Sequence, residues 1–224
     1  MRRPRIKSNP IRLGVLVPLI CAGILIAACA HDVPKPIRGK KSVAVMPFIK
    51  GRNPKRLTHG LSCAYERFCY ENDELKPDAD QLMTRMLQEK LMARLQDRVF
   101  PLKKVKQVYT KLKAKEATPL ETAQKLGSSI GVDYVMVGNI WRYRERVGSS
   151  LGVNRPASVA FSLYLVDIKN EKLVWRERFN ETQQSLSENL LKAPTFFKCG
   201  AKWLSARELA RCGMEAVLKG FPLE

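Results

Sequence analysis

Residues 13–28 form an uncharged, largely apolar run of 16 residues. Ahead of it lies a head carrying Arg2, Arg3, Arg5, Lys7 and Arg12 and no acid. A membrane-spanning helix needs about 20 apolar residues, so this run is short, and Gly14, Pro18 and Gly23 interrupt it. A basic head, a brief apolar stretch and the small residues Ala27 and Ala28 at its end have the layout of a secretory signal peptide. The constraint on folding is direct. Residues 1–28 are expected to leave, and 196 of the 224 residues remain to fold, which suits one domain at roughly 100–200 residues each.

The run ends Ile26-Ala27-Ala28-Cys29, so the small pair leads straight into a cysteine. This resembles the lipobox of bacterial lipoproteins. The resemblance implies that the Cys29 thiol receives a diacylglycerol, that the chain is cut before Cys29, and that its new amino group is acylated. In lipoproteins of the enterobacterial kind an aspartate after the cysteine retains the protein in the inner membrane. Ala30 stands there instead, which implies an outer-membrane lipoprotein facing the periplasm. An uncleaved anchor, or a chance cysteine after an ordinary cleavage site, are the competing readings. Residues 30–41 are short, charged and proline-containing, and read as a tether. The organisation expected is 1–28 signal peptide, 29–41 lipidated tether and 42–224 periplasmic domain.

Charge follows the same division. The whole chain carries +19, with 40 basic and 21 acidic residues. Five basic residues and no acid leave with 1–28, so the mature chain carries +14. Such a balance often marks a nucleic-acid binder. An exported protein rarely meets nucleic acid, so anionic headgroups, lipopolysaccharide phosphates and peptidoglycan carboxylates are the expected partners. Lys103, Lys104, Lys106, Lys111, Lys113 and Lys115 concentrate basic charge between Leu102 and Glu116. They are read either as an anionic-surface contact or as a solvated segment, with Val105, Val108, Tyr109 and Leu112 irregularly interspersed. Arg142, Arg144 and Arg146 form a second stripe, read as a site for an acidic partner or as partners of Glu177 and Glu181 on a neighbouring strand.

Cys21 leaves with the signal peptide and Cys29 is lipidated, so Cys63, Cys69, Cys199 and Cys212 remain, an even number in an oxidising compartment. Four cysteines allow three pairings. Cys63–Cys69 and Cys199–Cys212 are favoured, with free thiols as a competing reading. A continuous helix would hold Cys63 and Cys69 about 9 Å apart, too far for a bridge, so that segment must bend. Cys199 precedes the helix predicted to contain Cys212, so the loop must fold back. A metal site from His59, Cys63 and Cys69 lacks the usual zinc spacing. No metal and no cofactor are expected.

The remaining pattern alternates strands and helices. Residues 42–48 read as a buried strand ended by Pro47. Residues 77–97 read as an amphipathic helix capped by Asp78 or Asp80, with Leu82, Met83, Met86, Leu87, Leu91 and Leu95 on its apolar face. Residues 99–102 read as a short strand. Thr118-Pro119-Leu120-Glu121 and Ser205-Ala206-Arg207-Glu208 carry the residues of capping boxes. Residues 132–147 read as a long strand, with Trp141 and Tyr143 on one face and the three arginines on the other. A loop is expected over 148–156 and a short helix over 185–192. The segments 158–168 and 172–182 read as a hairpin around Lys169-Asn170-Glu171. The fold class expected is α/β (α+β), a single mixed β-sheet flanked by helices, with a C-terminal β-hairpin followed by a helix.

Three segments carry a further likeness: Val43-Ala44-Val45-Met46-Pro47-Phe48, Gly131-Val132-Asp133-Tyr134-Val135-Met136-Val137-Gly138-Asn139-Ile140, and 165–175 with Leu165, Asp167 and Trp175. They resemble a bacterial lipoprotein superfamily that includes the curli-secretion lipoprotein and the outer-membrane activator of a penicillin-binding protein. The resemblance spans roughly 42–182, with Asn170-Glu171 standing where that hairpin usually has Thr-Gly. It implies the fold and a non-catalytic role, and no β-rich insertion able to build a secretion pore is present.

No nucleophile motif or phosphate loop occurs, and His31 and His59 are the only histidines. The chain is therefore read as no enzyme. The principal reading is a lipoprotein whose domain binds an envelope protein or peptidoglycan. An oligomerising component of a secretion or transport assembly is the alternative, and a carboxylate-based glycan hydrolase is a distant third.

Overall fold

The computed structural model describes residues 37, 39–51, 75–112, 118–184, 199 and 202–223. Strand β1 is Val43–Val45 and β2 is Ile49–Lys50. Helices α1 (Ala79–Leu95), α2 (Leu102–Leu112) and α3 (Pro119–Ile130) follow. Then come β3 (Tyr134–Arg144), a small hairpin of β4 (Val147–Gly148) and β5 (Val153–Arg155), the long hairpin β6 (Ser158–Asp167) and β7 (Lys172–Thr182), and helix α4 (Ala206–Val217). One mixed sheet has the order β1-β3-β6-β7, with β2 also on β3. β1 and β2 lie parallel to β3, while β3–β6 and β6–β7 are antiparallel. The expected fold class, a mixed sheet flanked by helices with a helix after the hairpin, is the one observed.

The sheet separates two apolar layers, because strand residues alternate faces. Val43, Val45, Met136, Ile140, Phe161, Leu163 and Leu165 face α1 and α4 through Met83, Leu87, Leu91, Leu209 and Met214. Ala44, Met46, Val135, Val137, Tyr164 and Val166 face Val105 of α2 and Ala123 and Leu126 of α3. All ten residues of β6 are buried, which is why 158–167 reads as a nearly continuous apolar run. At one end of the sheet Val43, Tyr134, Asp167 and Lys172 stand in register across the four strands. At the other end Arg144, Ser158 and Thr182 align.

The motif glycines and acids have structural work. Gly131 ends α3 in the left-handed region at φ 71°. A Cβ on Gly138 would sit 2.4 Å from the ring of Phe48. Asp167 accepts from the Asn170 backbone N–H at 2.9 Å and from its side-chain amide at 2.8 Å, which closes the β6–β7 turn with Glu171 at φ 51°. Trp175 meets Phe221 edge-on with ring centroids 5.4 Å apart.

Several local expectations are corrected. Pro47 interrupts the first strand after Met46 N–H reaches the Met136 carbonyl at 3.0 Å, and parallel pairing with β3 resumes at β2, where Ile49 stands opposite Asn139. Val99 makes a single bridge to Val43 in place of a strand over 99–102, and a helix starts at Leu102. The residues Val105, Val108, Tyr109 and Leu112 stand three, four and seven positions apart, which is the period of a helix face. Asp78 occupies the N-cap of α1 without a side-chain capping bond. β3 is shorter than expected, and 148–156 contains β5, paired with β4. A bulge between Ile140 and Arg142 shifts the register. Tyr143 consequently joins the α1–α4 layer. Trp141 lies on the opposite face beneath Arg178, whose guanidinium is 5.0 Å from its ring centroid. The helix expected over 185–192 lies outside the described residues.

Candidate functional site

At the sheet end where β1 begins, Asp133 binds the segment that leads into the domain. Its carboxylate accepts from Ser42 N–H at 2.9 Å, Ser42 Oγ at 2.8 Å and Lys41 Nζ at 2.9 Å. Ser42 Oγ in turn accepts from Asp133 N–H at 3.0 Å. Burial alone would raise the Asp133 carboxyl, but the hydrogen bonds from Ser42 and Lys41 outweigh it and hold it below the usual carboxylate range. The same hydrogen bond and the Asp133 charge raise the Lys41 ammonium. Just upstream, Ile37 N–H donates to the Pro222 carbonyl at 2.9 Å and Ile37 bridges Leu223. The chain thus enters the domain stitched to both β3 and the C-terminal segment. Sequence reasoning assigned Asp133 no role. Its place in the Gly131-Val132-Asp133-Tyr134 motif was the available signal.

The opposite end holds the start of α4. Ser205 and Glu208 form the capping box, with Glu208 N–H donating to Ser205 Oγ at 3.2 Å and Ser205 N–H to Glu208 Oε2 at 2.8 Å. Glu145 accepts from Ala206 N–H at 2.8 Å, and Gln183 Oε1 from Leu204 N–H at 2.7 Å. Cys199 and Cys212 are joined by a disulfide with Cα atoms 5.9 Å apart. Cys29, Cys63 and Cys69 lie outside the described residues.

Glu208 is held down at about 2, against an ordinary 4.5, by the hydrogen bond from Lys202 and then that from Ser205 N–H, with burial opposing. A lowered carboxyl contributes stability above its unfolded-state value and loses it as pH falls toward its folded value. Glu208→Gln is therefore expected to lower Tm at pH 7. The gap to the parent should close as pH falls from 4.5 toward 2, read by thermal melts across that window. A gap that stays constant with pH would show the carboxylate charge to be irrelevant.

Helix α2 carries Lys103, Lys104, Lys106 and Lys111 exposed, with Val105 buried against α3 and the sheet. Lys113 and Lys115 lie outside the described residues. The first turn of α2 contains no acid, and Lys103 and Lys104 sit against the positive end of the helix dipole. The arginine stripe is rearranged by the bulge. Arg142 donates to the Asn180 side chain across β6, and Arg146 donates to the Trp203 carbonyl. Glu177 and Glu181 stand opposite Leu163 and Val159, on the face of α1 and α4, and Arg142 is bonded to Asn180 on β7. Among the described residues no three His, Cys, Asp or Glu side chains group as metal ligands. His31 and His59 lie outside the described residues.

No family model and no curated protein matches the chain. Solved structures do. The chain is similar to the PelC dodecamer from Paraburkholderia phytofirmans, at 17% identity over 85% of this chain and 94% of that one, with a TM-score of 0.48. It is also similar to lipoprotein GNA1162 from Neisseria meningitidis, at 16% identity over 72% of this chain and 98% of that one, with a TM-score of 0.42. For the C-terminal domain of LpoB from Salmonella enterica the identity is 10%, the coverage 66% and 86%, and the TM-score 0.41.

Proposed function

We propose that this chain is a non-catalytic, membrane-anchored lipoprotein of the bacterial envelope. Residues 1–28 direct export, Cys29 carries the acyl chains, 30–41 span to the surface, and the α/β domain binds an envelope protein or peptidoglycan in the periplasm. The observation that carries this reading is Ala27-Ala28-Cys29 at the end of a short apolar run behind five basic residues. Ala30 favours the outer membrane. In this reading Cys63 and Cys69 form a second disulfide in the oxidising compartment.

The lysines of α2, together with Lys113 and Lys115, supply an anionic-surface contact toward headgroups or wall glycan. Two lysines in the first helical turn, Lys103 and Lys104, are locally unfavourable, since the dipole there disfavours cations. Positions that break a local rule tend to be those a function requires. Crosslinking in intact cells, followed by mass spectrometry, tests the binding role. Discrete envelope-protein or peptidoglycan adducts on the domain are expected. Adducts to cytoplasmic proteins alone would overturn it.

A further inference from the structure

The end of the domain nearest the tether is a basic face outside α2. A cleft of about 660 Å³ opens there, lined by Gly39, Lys40 and residues 94–98. Arg94 is committed to the fold. It donates to the Leu218 carbonyl at 2.6 Å and to that of Phe221 at 3.2 Å, and lies over the Phe221 ring. Lys40 and Arg98 are the remaining cations of the cleft. Lys169 and Lys172 belong to the same end of the sheet, since Lys172 pairs with Asp167, Asp167 with Tyr134 and Tyr134 with Val43. None of Lys40, Arg98, Lys169 and Lys172 makes an ion pair with a described residue. Of the acids at this end, Asp133 is engaged by Lys41 and Ser42 and Asp167 by Asn170, while Asp97 lines the cleft and Glu171 lies exposed in the β6–β7 turn, so Lys40, Lys41, Arg94, Arg98, Lys169 and Lys172 stay in excess over the acids.

Chain length decides what this face meets. Eight Cα-to-Cα steps separate Cys29 from Ile37, which is pinned to Pro222 and Leu223. Fully extended they reach at most about 29 Å. A lipid on Cys29 would hold this end of the domain, and not the end bearing β4 and β5, beside the bilayer. A tether that short keeps the local headgroup concentration high, so even a weak basic patch stays engaged. Clustered cations near an anionic membrane surface are attracted within about a Debye length.

We propose that Lys40, Arg98, Lys169 and Lys172 form a second membrane contact that takes the phosphates of anionic lipid headgroups and seats the domain on its own bilayer. This rests on the lipidation of Cys29. The test uses the full-length protein extracted from membranes and reconstituted in phosphatidylcholine vesicles, with or without phosphatidylglycerol, bearing a photoactivatable headgroup. Adducts are expected on 39–40, 94–98 and 168–172 in the anionic vesicles, falling about fivefold or more between low and high salt. K40E/R98E/K169E should lower them equally, whereas Arg85→Glu, placed midway along α1, should not. Wild-type salt dependence keeps the test valid if the triple variant folds poorly.

Adducts confined to α2 or to the β4–β5 end, or equal on neutral and anionic vesicles, would overturn the proposal. The intact mass of the same sample separates the two claims. An acylated protein without these adducts keeps the anchor and loses the face. An unacylated protein that still gives them on anionic vesicles loses the anchor and keeps the face.

Discussion

Gly138→Val is expected to destabilise the domain by on the order of 3 kcal/mol, since forcing atoms into a packed core costs typically 1–3 kcal/mol and occasionally more. The position is at the middle of β3, in register with Leu163 of β6. A first carbon alone would approach the Phe48 ring to 2.4 Å, and valine adds two more. Phe48 is buried between β3 and α1, and its N–H donates to Thr84 Oγ1 at 2.9 Å, so its backbone is held as well. For a domain of this size the loss corresponds to a Tm lower by roughly 6–12 °C. Phe48→Ala should also destabilise, by opening a cavity. Because the two changes act on one space, the double variant should be markedly more stable than the sum of the single effects implies. Thermal unfolding of the four proteins measures this. A valine variant that melts with the parent, or strict additivity, would show that Gly138 is not there to admit the ring.

The fold was legible where the physics is local. Thr118 with Glu121 and Ser205 with Glu208 act across three residues, and both capping boxes are formed. The buried run of β6 and the turn chemistry after Asp167 likewise lie in neighbouring positions. Helix α2 was obscured by composition. Its apolar face at Val105, Val108, Tyr109 and Leu112 is regular, but it is narrow and set among four lysines, so the segment is basic before it is periodic. The bulge after Ile140 depends on how many residues β6 sets against β3, and no single segment encodes that count. Asp133 was invisible for the same reason, because Lys41 and Ser42 stand more than ninety positions away. The candidate surfaces depend on such long-range placement. The basic end of the sheet gathers Lys40, Arg98 and Lys169 from three separate segments.

Cys29→Ser is expected to abolish stable membrane retention. Each buried CH₂ of an acyl chain is worth about 0.8 kcal/mol, so one chain binds reversibly while three anchor for practical purposes permanently. Without the thiol no diacylglycerol is attached. The protein should then leave the membrane fraction, or remain only through basic contacts that a high-salt wash removes. Fractionation with and without that wash reads the difference. Retention of the serine variant through the wash would place the anchor elsewhere.

The proposed membrane attachment rests on the chemical state of one amino end. Intact-mass measurement of the protein extracted from native membranes should give a chain beginning at Cys29 and carrying the mass of three acyl groups. A mass that still includes residues 1–28, or one without acyl chains, would contradict it.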